Sequence, residues 1–350
     1  MKALKILVTT VGGLTSSEIL KALKENGERL VYLVGIDSFE HAVGRHFVDQ
    51  FQVFPNSADN EAAFAEAVFD LVRKESIDLI IPCGNEDNLA LARFREDSPC
   101  PVMVANHSDL LRAYDKGEVY RVLEESLPNF APRYFIVNDL AGFRAASQKL
   151  GYPDCKLVVK PRFGRGGRGV YILSPDVRLD RLFISKPNAE YDYEHFERLI
   201  AEQGLQGDLI VMEHLSDPFH SIYSLCHEGE QLAAPNHVRE WGTASQTYRG
   251  NICRDVELEH GAAGVVALFD LSYAVNMELA TNRDGQPVLF DLNPRIAASC
   301  AVDREVGLNF PYLAAKIAIG ESISVAMDEL NLPQRFFRYF DHILGMSVAS

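Results

Sequence analysis

The strongest constraint on this chain lies in its first third, where short apolar runs alternate with amphipathic ones. KILVTTV (5–11), RLVYLVGID (29–37), DLIIPC (78–83) and PVMVAN (101–106) are apolar at strand length, and SSEILKALKEN (16–26) and NEAAFAEAVFDLVRKES (60–76) carry helical spacing. Such strands, joined through helices, predict a parallel sheet covered on both faces. Ligands in these sheets sit beyond the carboxyl ends of the strands. Two candidates lie there. Gly12 and Gly13 either allow a tight strand-to-helix turn or present backbone N–H groups to an anionic substrate group. Asn85, Glu86 and Asp87 cluster just after DLIIPC. The third glycine of a dinucleotide fingerprint is missing and Asp37 is only loosely placed, which weakens a dehydrogenase reading.

From residue 107 the pattern changes. The spacing predicts one helix over 107–126, a Pro-broken connection at 128–135 and a helix over 138–151. KLVVKP (156–161) and VYIL (170–173) read as strands flanking a loop, and a tyrosine-rich stretch at 174–206 contains a helix over 193–204. DLIVMEHL (208–215) is a further strand. Residues 219–295 read as antiparallel strands around a helix at 262–272, and 308–322 as a terminal helix.

Two segments carry chemistry. In LVVKPRFGRGGRGVYIL (157–173), a strand delivers Lys160 into a loop holding four glycines and three arginines, Arg162, Arg165 and Arg168. Glycines let backbone N–H groups close around a polyphosphate, and arginines add charge-assisted bonds to its oxygens. No Gly-Lys-Ser/Thr opens a helix, so this is not a Walker loop. The second segment, VNMELATNRDGQPVLFDLNPR (275–295), reads as a hairpin turning at Asn282-Arg283-Asp284-Gly285. Asn276 and Glu278 lie on one arm; Asp291, Asn293 and Arg295 share one face of the other, because strand side chains repeat every two residues. Two carboxylates and an amide are the hard oxygen ligands that magnesium prefers, and the arginine can steady a phosphoryl group or oxyanion.

The net charge of -15 disfavours nucleic acid and anionic membranes as partners. The six cysteines are scattered without a Cys-x-x-Cys pair, which argues against a zinc ribbon or a disulfide scaffold. No stretch reaches membrane length, so a cytoplasmic protein is expected.

In the order of these motifs the chain resembles the ATP-grasp enzymes, closest in pattern to the carbamoyl-phosphate synthase and biotin carboxylase branch, with a single ATP-grasp unit. The resemblance runs through the N-terminal α/β domain, the Asp115-Lys116 step, the Lys160 strand, the glycine loop, the IVMEHL hinge and the DLNPR segment. It implies a Rossmann-like parallel-sheet domain (1–112) followed by a two-lobed ATP-grasp domain, a lid lobe (113–213) and a large lobe (214–350), in an α/β and α+β chain. It implies that Lys116 and Lys160 contact nucleotide phosphates and that Gly164, Gly166, Gly167 and Gly169 form the flexible loop over the triphosphate. Glu213, His214 and Leu215 match the hinge that reads adenine through backbone groups. Glu278, Asp291 and Asn293 match the ligands of Mg2+ or Mn2+, and Arg295 the arginine at the phosphoryl group. Asp291 stands where the family usually has glutamate. The usual acidic ribose contact after the hinge is missing, and His220 or Asp217 is left to replace it; His220 is assigned the role.

The implied reaction activates a small, amino-acid-like carboxylate as an acyl phosphate with ATP and then joins it to an amine, so both substrates are small molecules. Acceptor recognition is expected in 235–251, which offers His237, Arg239, Trp241 and Arg249. Arg249 is the first choice for the substrate carboxylate, Arg239 the second, and Trp241 reads as a packing anchor. Phosphorylation of bicarbonate or carbamate, and a non-catalytic nucleotide-binding role, are the alternatives. A homodimer is left open.

Overall fold

The computed structural model describes residues 2–13, 16–164, 168–177, 190–242, 246–339 and 341–344. The chain builds three sheets in succession. The first contains β1 (Leu4–Val8), β2 (Val31–Asp37), β3 (Gln50–Val53) and β4 (Leu79–Ile81), all parallel, in the order β3-β2-β1-β4. Helices α1 (Ser16–Lys24), α2 (Glu61–Glu75), α3 (Asn85–Arg93) and α4 (His107–Tyr114) accompany it. Leu7, Val34 and Ile36 pack with α2 on one face, and Ile6, Val8 and Leu33 with α1 on the other. Both faces are therefore buried, as the apolar runs require. The expected strand at 101–106 is reduced to a single bridge between Val102 and Ile80. The fourth strand is instead QFQV, a half-exposed edge whose polar alternation gives no apolar run.

The helix expected over 107–126 is broken in two at Asp115. Its carboxylate accepts from the N–H groups of Gly117 and Glu118 at 3.0 and 3.2 Å, which starts α5 (Lys116–Ser126) afresh. Arg162 grips the same carboxylate through Nε and Nη2, both at 2.7 Å. Burial alone would raise the Asp115 carboxyl, but Arg162 and the two N–H groups outweigh it and hold it below the usual range. Val119, Tyr120 and Leu123 of α5 pack into one core with Ile210 and Met212 of the second sheet and with the third sheet.

The second sheet contains β5 (Tyr134–Val137), β6 (Leu157–Pro161), β7 (Tyr171–Ser174), β8 (Glu190–Asp192) and β9 (Leu209–Glu213), in the order β5-β9-β6-β7-β8. Phe143 of α6 (Leu140–Lys149) stacks on Tyr193 of α7 (Tyr193–Gln203) at 5.3 Å, closing its core. Lys160 sits on β6, and Gly164 and Gly169 lie on either side of the loop toward β7. Arg165, Gly166 and Gly167 lie outside the described residues.

The third sheet is antiparallel where its strands pair. Its strands are β10 (Ser216–His227), β11 (Glu230–Ala233), β12 (Asn236–Gly242), β13 (Thr247–Cys253), β14 (Tyr273–Thr281), β15 (Pro287–Asn293) and β16 (Gln334–Phe337). The order is β15-β14-β10-β12-β13-β16, with β11 on β10. One face buries Ile222, Met277 and Leu289 against α8 (Val256–Leu268) and α5. The helix expected at 262–272 thus starts earlier, where Asp255 caps it. On the other face Tyr223, Leu225 and Ile296 join Phe310 of α9 (Phe310–Ala318), Ile6 and Val8 of the first sheet and Leu20 of α1 in one core. This helix is not terminal, because β16 follows it and pairs with β13. No helix among the described residues is long and apolar enough to cross a membrane.

Replacing Asp115 by Ala removes both a helix cap and the Arg162 partner, and is expected to cost about 2 kcal/mol in urea unfolding. Asp115→Asn keeps the cap and should cost about half as much. The charge-dependent part is present above the ordinary carboxylate range and is lost as pH falls, so the deficit of the Asn variant should shrink below about pH 4. Equal losses for Ala and Asn would show that the cap is not what starts α5.

Candidate functional site

The site is built on the predicted hairpin. The turn forms at Asn282 to Gly285, where Gly285 adopts a φ of 80° and its N–H reaches the Asn282 carbonyl at 3.1 Å. Pairing of β14 with β15 sets Glu278 opposite Asp291 and Asn276 opposite Asn293. These four side chains project from the face that meets the first sheet, because the alternate residues Val275, Met277 and Leu279 are buried on the other.

Two like charges thus face each other in partial burial, and the surroundings treat them differently. Burial, and then the charge of Asp291, push the Glu278 carboxyl up to about 7, opposed by Arg239, Asn276 and Arg295. Burial would raise Asp291 as well, but Lys116 and Lys160 outweigh it and hold this carboxyl below its usual range. Lys116 Nζ bonds Asp291 Oδ1 at 2.6 Å, and Asn293 Nδ2 donates to Asp291 Oδ2 at 2.9 Å.

Lys160 is buried at the foot of the glycine loop and donates to Tyr120 Oη and the Phe290 carbonyl, both at 2.7 Å. Burial lowers its ammonium pKa to about 7 against the pull of Asp291, with Lys116 lowering it further and Glu278 raising it. Arg295 completes the cluster from just beyond β15. Its Nε donates to Asn85 Oδ1 at 2.6 Å and its Nη1 to the Ile296 carbonyl at 3.0 Å. Asn85 opens α3 in the first domain, so the cluster is closed by a residue distant in the chain.

The donors fit a divalent cation. Asn276 Oδ1 is buried without a hydrogen-bond partner beside Glu278, and Asn276 Nδ2 lies 3.4 Å from Glu278 Oε1. The amide thus turns its nitrogen to Glu278 and leaves its buried oxygen unpaired; a hard cation held by the facing carboxylates of Glu278 and Asp291 could take such an oxygen as a further ligand. No group of three His, Cys, Asp or Glu side chains gathers among the described residues. The site therefore relies on two carboxylates and amide oxygens, leaving the remaining positions to a ligand.

Other expected residues fall elsewhere. Glu213 turns its carboxylate to the Arg133 backbone N–H at 2.8 Å, tying the hinge to β5; Leu215 is buried, and burial lowers the pKa of His214. His220 does not join the cluster. Next to Ser221, which pairs with Glu278, it projects from the opposite face and lies 3.2 Å from Asn236 Oδ1. Arg249 is also turned away, in an ion pair with Glu240 at 3.0 Å. Of the arginines expected at the acceptor, it is Arg239 whose charge is felt at Glu278, alongside that of Arg295, and its guanidinium lies over the Phe219 ring at 5.1 Å. His237 is buried against Asp303 at 2.6 Å, and Trp241 is 61% exposed, so it is no packing anchor. Arg162 is held by Asp115 and Asp208 at the base of the loop. Gly12 donates its N–H to Asp37 Oδ2 at 2.7 Å, so a side-chain carboxylate already takes the anion position expected there.

The family model for "ATP-grasp in the biosynthetic pathway with Ter operon" matches residues 206–336, which include the whole hairpin. The carbamoyl phosphate synthase large chain of Streptomyces griseus is 31% identical over 289 residues, covering 77% of this chain and 24% of that relative. That of Pseudomonas syringae is 24% identical over 295 residues, covering 80% and 25%. N5-carboxyaminoimidazole synthetase from Staphylococcus aureus, solved with ADP, superposes with a TM-score of 0.69 at 15% identity, over 91% of this chain and 78% of that one. Residues 206–336 thus match an ATP-grasp family model, and the chain has the ATP-grasp fold. The ADP-, MgADP- and bicarbonate-bound biotin carboxylase domain of Hydrogenobacter thermophilus 2-oxoglutarate carboxylase superposes at 0.66 with 17% identity, covering 93% and 72%. The chain spans about a quarter of the length of these carbamoyl phosphate synthase relatives.

If Lys116 is what allows Asp291 to stay ionised beside Glu278, Lys116→Met should destabilise the metal-free protein by about 1–2 kcal/mol. A double-mutant cycle with Asp291→Asn, read by urea unfolding, should give a coupling of about 1 kcal/mol; additive losses would mean the pair contributes nothing of its own.

Proposed function

We propose that this protein is an ATP- and magnesium-dependent ligase that activates a small carboxylate as an acyl phosphate and joins it to an amine, releasing ADP and phosphate. The observation that carries the reading is the hairpin cluster, in which Glu278 and Asp291 face each other between Lys116, Lys160 and Arg295. Glu278, Asp291 and Asn293, with Asn276 beside them, would hold the metal. Bound there, it would neutralise charge on the phosphates and orient them for in-line transfer.

The chain's own groups do the rest. Lys116 and Lys160 are poised to exchange Asp291 and carbonyl partners for phosphate oxygens, with Gly164 and Gly169 at the two ends of the glycine segment assigned to the triphosphate. The hinge of Glu213, His214 and Leu215 offers backbone groups to adenine. Arg295, braced by Asn85, steadies the transferred phosphoryl group and then the acyl phosphate. Arg239 takes the place first given to Arg249 as the contact for the substrate carboxylate, because its charge reaches Glu278. No nucleophilic side chain is required, since positioning and charge stabilisation carry this chemistry. The division into 1–112, 113–213 and 214–350 is proposed with it, the helix α5 of the second segment packing in a core shared by the second and third. A structural neighbour named for a comparable reaction is the L-amino acid ligase of Bacillus licheniformis, at a TM-score of 0.63, 15% identity and 91% and 74% coverage.

Purified protein given magnesium and ATP with paired carboxylates and amines should form ADP and phosphate only when both partners are present. Release of AMP and pyrophosphate would overturn the acyl-phosphate reading. Arg239→Met should raise KM for the carboxylate at least about tenfold, with Arg249→Met close to wild type; the reverse order would restore Arg249.

A further inference from the structure

Tyr120 is almost wholly buried on α5, yet its hydroxyl is fully engaged. It donates to the Phe290 carbonyl of β15 at 2.6 Å and accepts from Lys160 Nζ of β6 at 2.7 Å. Lys160 donates to the same carbonyl at 2.7 Å, so hydroxyl, ammonium and carbonyl close a triangle. The Met212 sulfur, 3.8 Å from the hydroxyl, is too weak an acceptor to compete for its proton. Four residues before Tyr120, on the same face of α5, Lys116 bonds the side chain of Asp291, the residue after Phe290. The helix is thus fixed to two consecutive residues of β15, and β6 is joined to both helix and strand through Lys160. Packing does not ask for this hydroxyl. Tyr134 meets the Tyr120 ring edge-on at 5.0 Å, and Leu123, Ile210 and Met277 share its core, contacts that a phenylalanine would also make.

The triangle lets Lys160 change partners without leaving a buried polar group unpaired. An ammonium carries three N–H donors, and Tyr120 and Phe290 accept two of them. When a phosphate oxygen draws Lys160 off the Phe290 carbonyl, that carbonyl keeps the Tyr120 proton, and Lys160 keeps the Tyr120 oxygen. We infer that Tyr120 is a positioning residue for the nucleotide: its hydroxyl holds the Lys160 ammonium toward the phosphates and ties it to the strand that carries Asp291. The inference rests on the assignment of Lys160 to a nucleotide phosphate in the ligase reading.

The test is calorimetric titration of the full chain with ADP and with adenosine, each in Mg2+, for wild type, Tyr120→Phe, Lys160→Met and the double variant. Tyr120→Phe should weaken ADP about tenfold and leave adenosine within about twofold, because adenosine has no phosphate to meet Lys160. In the Lys160→Met background the same change should have no further effect. Tyr134→Phe, which removes a neighbouring hydroxyl outside the triangle, should match wild type. Equal weakening of ADP and adenosine by Tyr120→Phe would mean that the hydroxyl serves the core alone, and would overturn the inference. Unchanged ADP affinity, or a loss that persists without Lys160, would overturn it too. If Lys160→Met itself leaves ADP affinity unchanged, the phosphate assignment falls and the inference falls with it. If the expected pattern holds but no carboxylate–amine pair yields ADP, the ligase reading fails and the role of Tyr120 stands.

Discussion

Two carboxylates, Glu278 and Asp291, face each other across the β14–β15 pair, and their repulsion is the constraint around which the chain is arranged. In partial burial such a pair persists only with compensating charge nearby. Each part of the fold contributes some of it: Lys116 from the start of α5, Lys160 from the second sheet, and Arg295, turned by Asn85 of the first domain. The lobes therefore converge on one electrostatic problem. An orphaned oxygen on Asn276 marks where the compensation is incomplete, which is where a metal and polyphosphate are proposed to enter.

The same arrangement explains why supporting residues are themselves held. Lys116 can point at Asp291 only because α5 begins there, and it begins there because Asp115 caps it while gripping Arg162. Arg162 in turn anchors the base of the glycine loop to Asp208 on the segment before β9. A chain of ion pairs thus links the loop to the helix that carries Lys116. Displacement at one end has a direct route to the other.

Much of this was legible in the sequence because it depends on short-range periodicity. Alternation along DLN put Asp291 and Asn293 on one face, and the Asn282 to Gly285 turn fixed the hairpin, while Arg295 lies beyond the end of β15. What was not legible depended on parity or on distant contacts. Arg239 pairs with Gly250, so alternation along β13 leaves Arg249 on the far face with Glu240, and the register between β12 and β13 that decides this has no local signal in the sequence. His220 was misplaced for a related reason, one residue deciding the face of β10. The break at Asp115 did have a signal, an Asp followed by Lys-Gly inside a helical run, which the continuous spacing masked. The bond between Asn85 and Arg295 spans most of the chain and required the folded core.

Whether Glu278 and Asp291 join nucleotide phosphates through a divalent cation is measured most directly by ADP affinity with Mg2+ or with EDTA. Mg2+ is predicted to strengthen ADP binding by about tenfold or more in the wild type. Glu278→Gln combined with Asp291→Asn should remove this dependence while leaving metal-free affinity within about threefold. An unchanged Mg2+ dependence in the double variant would contradict the metal site.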